Sequence, residues 1–333
     1  MTLPSTTRRR LLLAAALAPL APAHANGTPR PIFVLNSLDA TVSVIDPLQW
    51  RELQRIPTGK ESHHLYLTPD EKSLIVANAL SNSLSFLDPT TGAVQRVVND
   101  IVDPYHLRFS PDMKWFVTAA NRLNHVDLYQ WQPQAAAPLK LLKRIEAPRT
   151  PSHLSIDSRS SVVYASLQDS DELIAIDLAT QMPRWKVRCG KLPADLYLTA
   201  DDRHLYVGLT GDRFVEVYDV SAGPARLVNR IATGAGAHAF RARGDRRHVF
   251  VSNRVANTIS LIDTQAQKVV SELPAPGGPD CMELSTDGRL LLVSSRWARK
   301  LTVIDVDKRA VVRQVDVGRS PHGVWTLDHA GRL

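Results

Sequence analysis

Two cysteines in 333 residues cannot form a disulfide framework, and a chain of this length can bury enough apolar surface without one. Familiar catalytic signatures are missing too. No C-x-x-C-H occurs, which excludes attachment of a c-type haem, and there is no H-E-x-x-H, no G-x-S-x-G and no Gly-rich phosphate loop. Long apolar runs are absent except for one starting at Leu11, too short and too Ala-rich for a membrane span. A strong charge of one sign is also lacking. The formal charge is +7, and Arg8, Arg9 and Arg10 supply three of those units, so the rest of the chain holds 37 basic against 33 acidic residues. An excess of four is a weak argument for nucleic acid or any other polyanion.

Residues 1–25 read as an export signal: a basic start, the apolar run, and Ala23-His24-Ala25 as a small-x-small cleavage site. Thr7-Arg8-Arg9-Arg10-Leu11-Leu12 has the look of a twin-arginine signal, a route that carries folded proteins. Cleavage after Ala25 would leave residues 26–333 as one domain in a bacterial periplasm.

What is present is a repeat. FVLNSLDATVSVID (33–46), IVANALSNSLSFLD (75–88), FVSNRVANTISLID (250–263) and LVSSRWARKLTVID (292–305) are copies of one phrase, with weaker copies ending at Asp127, Asp177 and Asp219. The closing aspartates fall 39–50 residues apart. Strand-like content at a period of roughly 40–45 residues predicts a β-propeller. Each unit resolves into four strands, a to d; in 237–273 they are AFRARG, RHVFVSN, NTISLID and AQKVVSEL. Turn sequences such as SPDMKW and DPTTG lie between strands. The N-terminus supplies strands b, c and d of one blade, and SPHGVWTLDHAG (320–331) supplies its a strand. The expectation is therefore an all-β, seven-bladed propeller of four-stranded antiparallel blades, monomeric, with both chain ends sharing one blade. The closing aspartates are expected to hydrogen-bond into the c–d turn. Cys189 and Cys281 fall in distant parts of this ring and should stay unpaired.

The sequence resembles the YVTN-repeat β-propellers, whose unit runs approximately YVxNxxxNTVSVIDxxTxxVxxxIxVGxxPxGVxxSPDG. VSNRVANTISLIDTQAQKVV (251–270) and VIDVDKRAVVRQVDVGRSPHGV (303–324) carry the likeness, which extends over almost all of residues 31–331. More distantly it is similar to the haem-binding propeller of cytochrome nitrite reductases. The resemblance implies the fold and leaves activity open, since such propellers include single-stranded DNA binders, lactonase-like enzymes and holders of redox cofactors.

One constellation carries chemistry. Aligning the seven approaches to strand a gives two adjacent columns: His63, Tyr105, Ser152, Ala194, His238, Asp280, His322, then His64, His106, His153, Asp195, Ala239, Cys281, Gly323. Six of eleven histidines fall in these fourteen positions. In a ring these residues converge near the axis, and His, Cys and Asp are transition-metal ligands. The columns admit three readings: histidines that bridge blades, a metal-free ligand pocket, or a site for copper, zinc, iron or a non-covalent haem. Two residues on, Tyr66, Arg108, Ser155, Tyr197, Arg241, Glu283 and Trp325 suggest a wet channel.

Arg122, Arg254 and Arg296 sit in the b–c loops expected on the same face, where they could clamp an anion bidentately. With Tyr105, Asp195 and Asp280 they form the candidate ligand site, beside His63, His64, His106, His153, His238, His322 and Cys281 as candidate metal ligands. Asn36, Asn78, Asn121 and Asn253 read as turn formers. Tyr105 and Trp297, near Arg254, Arg296, Arg299 and Lys300, could stack bases. The resulting expectation is a binding propeller for an anionic small molecule, metal or cofactor. The alternatives are a metal- or haem-dependent redox or hydrolytic enzyme using His106 or His153, and a scaffold for a protein or single-stranded nucleic acid.

Overall fold

The structure, a computed structural model, describes residues 29–332; the expected export signal over 1–25 lies outside them. It contains seven four-stranded antiparallel sheets. Strands Ala237–Ala242, His248–Asn253, Thr258–Asp263 and Lys268–Pro274 form one blade in sequence order, close to the boundaries expected for that unit. Ring closure also follows the sequence. Pro321–Thr326 pairs with Ile32–Asn36, so the last strand of the chain is the innermost strand of the blade that the N-terminus begins.

Burial explains why the strands are patterned as they are. Second strands such as Leu74–Asn78 are buried throughout, because neighbouring blades cover both faces. Outermost strands such as Arg51–Pro57 are largely exposed and carry the polar residues. The core is a series of layers between blades. One joins Phe33, Leu35 and Val44 to Leu65, Leu74 and Val76 of the next blade, with Trp325 packed in from the closing strand.

The closing aspartates act in the turns, as expected. Asp46 accepts from the amides of Leu48 and Gln49, Asp88 from Thr90 and Thr91, and Asp263 from Gln265 and Ala266. Asp127 is the exception. In the third blade Gln130 pairs with Trp115, the relation that Asp177 has to Val162, so the position equivalent to Asp177 is Gln130. Asp127 lies three residues earlier, fully buried, where it accepts two hydrogen bonds from Arg144 at 2.8 and 2.9 Å. The uneven spacing of 39 and 50 residues is thereby corrected to 42 and 47.

Asn36, Asn78 and Asn253 are not turn formers. Each is fully buried at the end of a second strand and donates its amide to a serine of the third strand, Ser43, Ser85 or Ser260. Asn36 also accepts from the amide of Gly318, across the join between chain ends.

Deleting residues 320–333 should abolish the soluble monomer. It strips the backbone partner from Ile32–Asn36, exposes a sheet edge and removes Trp325 from the core. Size-exclusion chromatography and a thermal melt would test this; a soluble, cooperatively melting truncation product would contradict it. Trp325→Ala alone should cost about 3–5 kcal/mol.

Candidate functional site

The two columns converge because of a repeated irregularity. Ser62 pairs with Asn78 and Leu65 with Val76, so His63 and His64 together face the single residue Ala77. The same two-against-one bulge recurs at Ser152 and His153, Ala194 and Asp195, His238 and Ala239, Asp280 and Cys281, and His322 and Gly323. In the third blade the Tyr105 amide donates to the Ala119 carbonyl, while His106 is Ala119's register partner. Regular strands send consecutive side chains to opposite faces; a bulge relaxes that alternation and re-aims a side chain. Adjacent columns can therefore contribute to one axial cluster.

The six histidines are packed ring against ring. His64 lies 4.4 Å from His106, 4.9 Å from His322 and 5.4 Å from His153 between ring centroids; His106 and His153 are 4.9 Å apart. His63 packs at a tilt on Tyr105 at 4.3 Å and edge-on against His322 at 4.8 Å, and His238 lies 5.4 Å from His153. Every one of the six is buried. Ligand atoms of His64, His106 and His153 all lie within 4.8 Å of one another, as do those of His64, Cys281 and His322, and of His238, Asp280 and His322.

Asp280 organises the side nearer the b–c loops. It is fully buried, and it accepts from Arg254 at 2.7 Å and from Arg296 at 3.1 Å. His238 Nδ1 lies 3.0 Å from its Oδ1 and His322 Nε2 lies 3.8 Å from its Oδ2, neither directed as a hydrogen bond. Burial pushes the Asp280 carboxyl upward, but Arg254, His322 and His238 outweigh it and hold the group well below the usual range. Arg254 and Arg296 are thus engaged by Asp280. Arg122 stands apart, bound to Asp103 and Glu61. The three arginines do not form the open anion clamp expected from sequence.

Burial also sets the charge of the histidines. It lowers His106 to about 3, and, with Arg254 adding repulsion, His238 to about 4. Burial, then repulsion from neighbouring histidines, holds His64 and His153 well below the ordinary value. Neutral imidazoles keep a lone pair, and several here lack any partner: His63 Nδ1, His64 Nε2, His106 Nδ1 and His322 Nε2 accept and donate nothing. His153 Nδ1 is 2.9 Å from the Ser152 hydroxyl. Cys281 is unpaired like Cys189, with its Sγ 3.5 Å from His322 Nδ1 and its thiol raised well above the usual range by burial and by Asp280.

The free volume touching the histidines lies inside the channel. A chamber of about 90 Å³ is bounded by His64, His106, His153 and Cys281 and continues to Arg108 and Arg241. Beyond it the expected wet column is partly filled. Arg241 and Glu283 form a buried pair at 2.5 Å, Arg332 reaches the same carboxylate, and Trp325 is 2% exposed. One polar cluster was not singled out in the sequence. His125 Nδ1 lies 3.0 Å from Asp127 inside the third blade, away from the two columns, and only its pairing with a buried aspartate marks it.

A closed seven-bladed propeller with a histidine-lined axial channel is the class that fold and site define. The chain belongs to the YncE-like β-propeller family, whose pattern it matches over residues 9–332. Among curated proteins none matches significantly. Solved structures share the fold. A functionally unknown protein from Desulfotomaculum acetoxidans superposes with a TM-score of 0.76 at 14% identity, covering 91% of this chain and 100% of that one. The periplasmic gluconolactonase of Pseudomonas aeruginosa gives 0.74 at 19%, covering 91% and 99%. The dihydro-haem d1 dehydrogenase NirN, bound to its ligand, gives 0.67 at 16%, covering 92% and 77%. At these identities the likeness concerns the fold alone.

The buried histidines make metal-free protein acid-sensitive. Their folded pKa values lie below the unfolded value of about 6.5, so the unfolded chain binds more protons as pH falls through that value, and stability falls with it. Between pH 6.5 and 5, His106 and His238 together should remove about 3 kcal/mol. Urea melts with chelator at both pH values would show it; equal midpoints would mean that the imidazoles are not held neutral. Asp280→Ala should cost about 3–5 kcal/mol by leaving Arg254 and Arg296 without their shared counter-ion.

Proposed function

We propose that this chain is an exported, periplasmic binding propeller whose channel holds one transition-metal ion through His64, His106 and His153. A single observation carries this reading: three buried imidazoles from three blades place their ligand atoms within 4.8 Å of each other. Two of them have a ring nitrogen with no other partner. A buried polar atom without a partner costs about 1–3 kcal/mol, and an ion at the cluster would relieve that cost. Low pKa values also favour the neutral form that a metal requires.

Imidazole donors suit copper, zinc, nickel or iron. His238, Asp280 and His322 support a metal less well, because Arg254 and Arg296 already engage the carboxylate. A non-covalent haem does not fit the chamber as built: about 90 Å³ is far below the roughly 300–1,000 Å³ of typical cofactor pockets. NirN's bound haem therefore is not carried over. Binding is favoured over hydrolysis because no catalytic sequence motif accompanies the histidines. The TRRRLL segment at 7–12 supports export in the folded state, with the ion already buried.

Protein exported by its own signal and purified without chelators should contain about one equivalent of such a metal. His106→Ala/His153→Ala should lose it while retaining a cooperative melt. Undiminished metal in the double variant, or none in the parent, would overturn the assignment.

A further inference from the structure

The channel has a second end, and its chemistry differs from that of the histidines. A cavity of about 470 Å³ opens there. Its walls are mainly apolar, with Phe109, Ile156, Tyr197 and Phe240 contributed by four different blades. Arg108 lines both this cavity and the histidine chamber.

Most charges around the cavity are accounted for within the protein. Arg241 is bound to Glu283 and to the carbonyls of Ala330 and Gly331, and Arg332 to Glu283. Asp195 accepts from the amides of Leu196 and Phe240 at 2.9 Å each. Asp202 accepts from the amide and hydroxyl of Ser158. Arg108 differs. Its Nε donates to the Leu154 carbonyl at 3.1 Å, and its guanidinium carbon lies 4.7 Å above the Tyr66 ring. No carboxylate comes within 4.0 Å of it among the described residues. The Asp195 carboxylate, on the same wall, attracts it from beyond that distance.

We propose that this end of the channel binds a small organic carboxylate with a flat apolar body, the carboxylate paired with Arg108. Three features carry the inference: a volume in the small-ligand range, a largely apolar wall, and one cation with no carboxylate in salt-bridge contact. A guanidinium fixed through its Nε and by a tyrosine face still has terminal N–H groups for an anion, a geometry that favours carboxylates. Ser155, part-exposed on the wall, adds a hydroxyl. The site borders the histidine chamber, but Arg108 is not among the grouped metal-ligating residues, so the two readings can be tested separately.

Titration calorimetry of the exported protein with 2-naphthoate tests this, with naphthalene-2-carboxamide as the uncharged counterpart. Naphthoate should bind one-to-one and at least tenfold tighter than the carboxamide. Arg108→Gln should weaken it by tenfold or more with the metal content unchanged. Ser155→Phe, which fills the cavity and keeps the arginine, should abolish binding and decides the matter if Arg108→Gln does not fold. Absence of naphthoate binding, equal binding of acid and amide, or indifference to either substitution would overturn the proposal. Metal content measured on the same samples separates this failure from failure of the metal assignment.

Discussion

The site depends on a bulge present in six of the seven blades. There, two consecutive residues of the innermost strand oppose one residue of the next strand out. A propeller's innermost strands already run alongside one another at the axis. Adding the bulge lets two neighbouring side chains per blade, rather than one, contribute to the axial cluster. Six histidines, a cysteine and two carboxylates can then occupy the space around a channel whose chamber is only about 90 Å³. With regular pairing, His63 and His64 would face opposite sides of their sheet, and the 4.8 Å contact of His63 with His322 could not coexist with the 4.9 Å contact of His64 with the same ring.

The polar centre this creates is expensive for a folded protein. Neutral imidazoles with unpartnered nitrogens and a fully buried Asp280 each oppose stability unless something offsets them. For Asp280 the offset is internal: two arginines donate to it and two histidines lie close by. For His64 Nε2 and His106 Nδ1 there is no such partner among the described residues. This difference within one cluster separates its halves. The Asp280 side is an ion network that ties Arg254 and Arg296 of the b–c loops to one carboxylate, although Arg254 Nε, His238 Nδ1 and His322 Nε2 stay unpartnered there, whereas the His64 side has no charged group at its centre.

Repeats made the architecture legible. Blade number, strand order and closure through residues 320–331 were all written in the spacing of closing aspartates and in the incomplete first unit. The third blade was misaligned because Asp127 lies three residues from where a closing aspartate belongs, and only strand pairing identifies Gln130 as the equivalent. The asparagines misled for a related reason. Asn is a common turn residue, but Asn36, Asn78 and Asn253 lie one residue before the turn and point inward to a serine seven residues on. The site columns were readable as a list of residues; their pairing was not. Nothing local to Arg122 announces that Glu61, some sixty positions earlier, lies in the next loop of the ring.

The two ends of the channel are also kept chemically distinct by the chain's last residues. After closing the first blade, the C-terminal segment runs across its neighbour, where the Ala330 amide donates to Leu284, and delivers the carbonyls of Ala330 and Gly331 to Arg241. Arg332 then shares Glu283 with Arg241. A segment needed only to close a ring could stop at Thr326. Continuing to Arg332 gives Arg241 two carbonyl acceptors, brings a second cation to Glu283 and lines the channel on the sixth- and seventh-blade side. Arg108, on the third blade, is left uncovered. Closure of the fold and polarity of the channel are in this way produced by the same dozen residues.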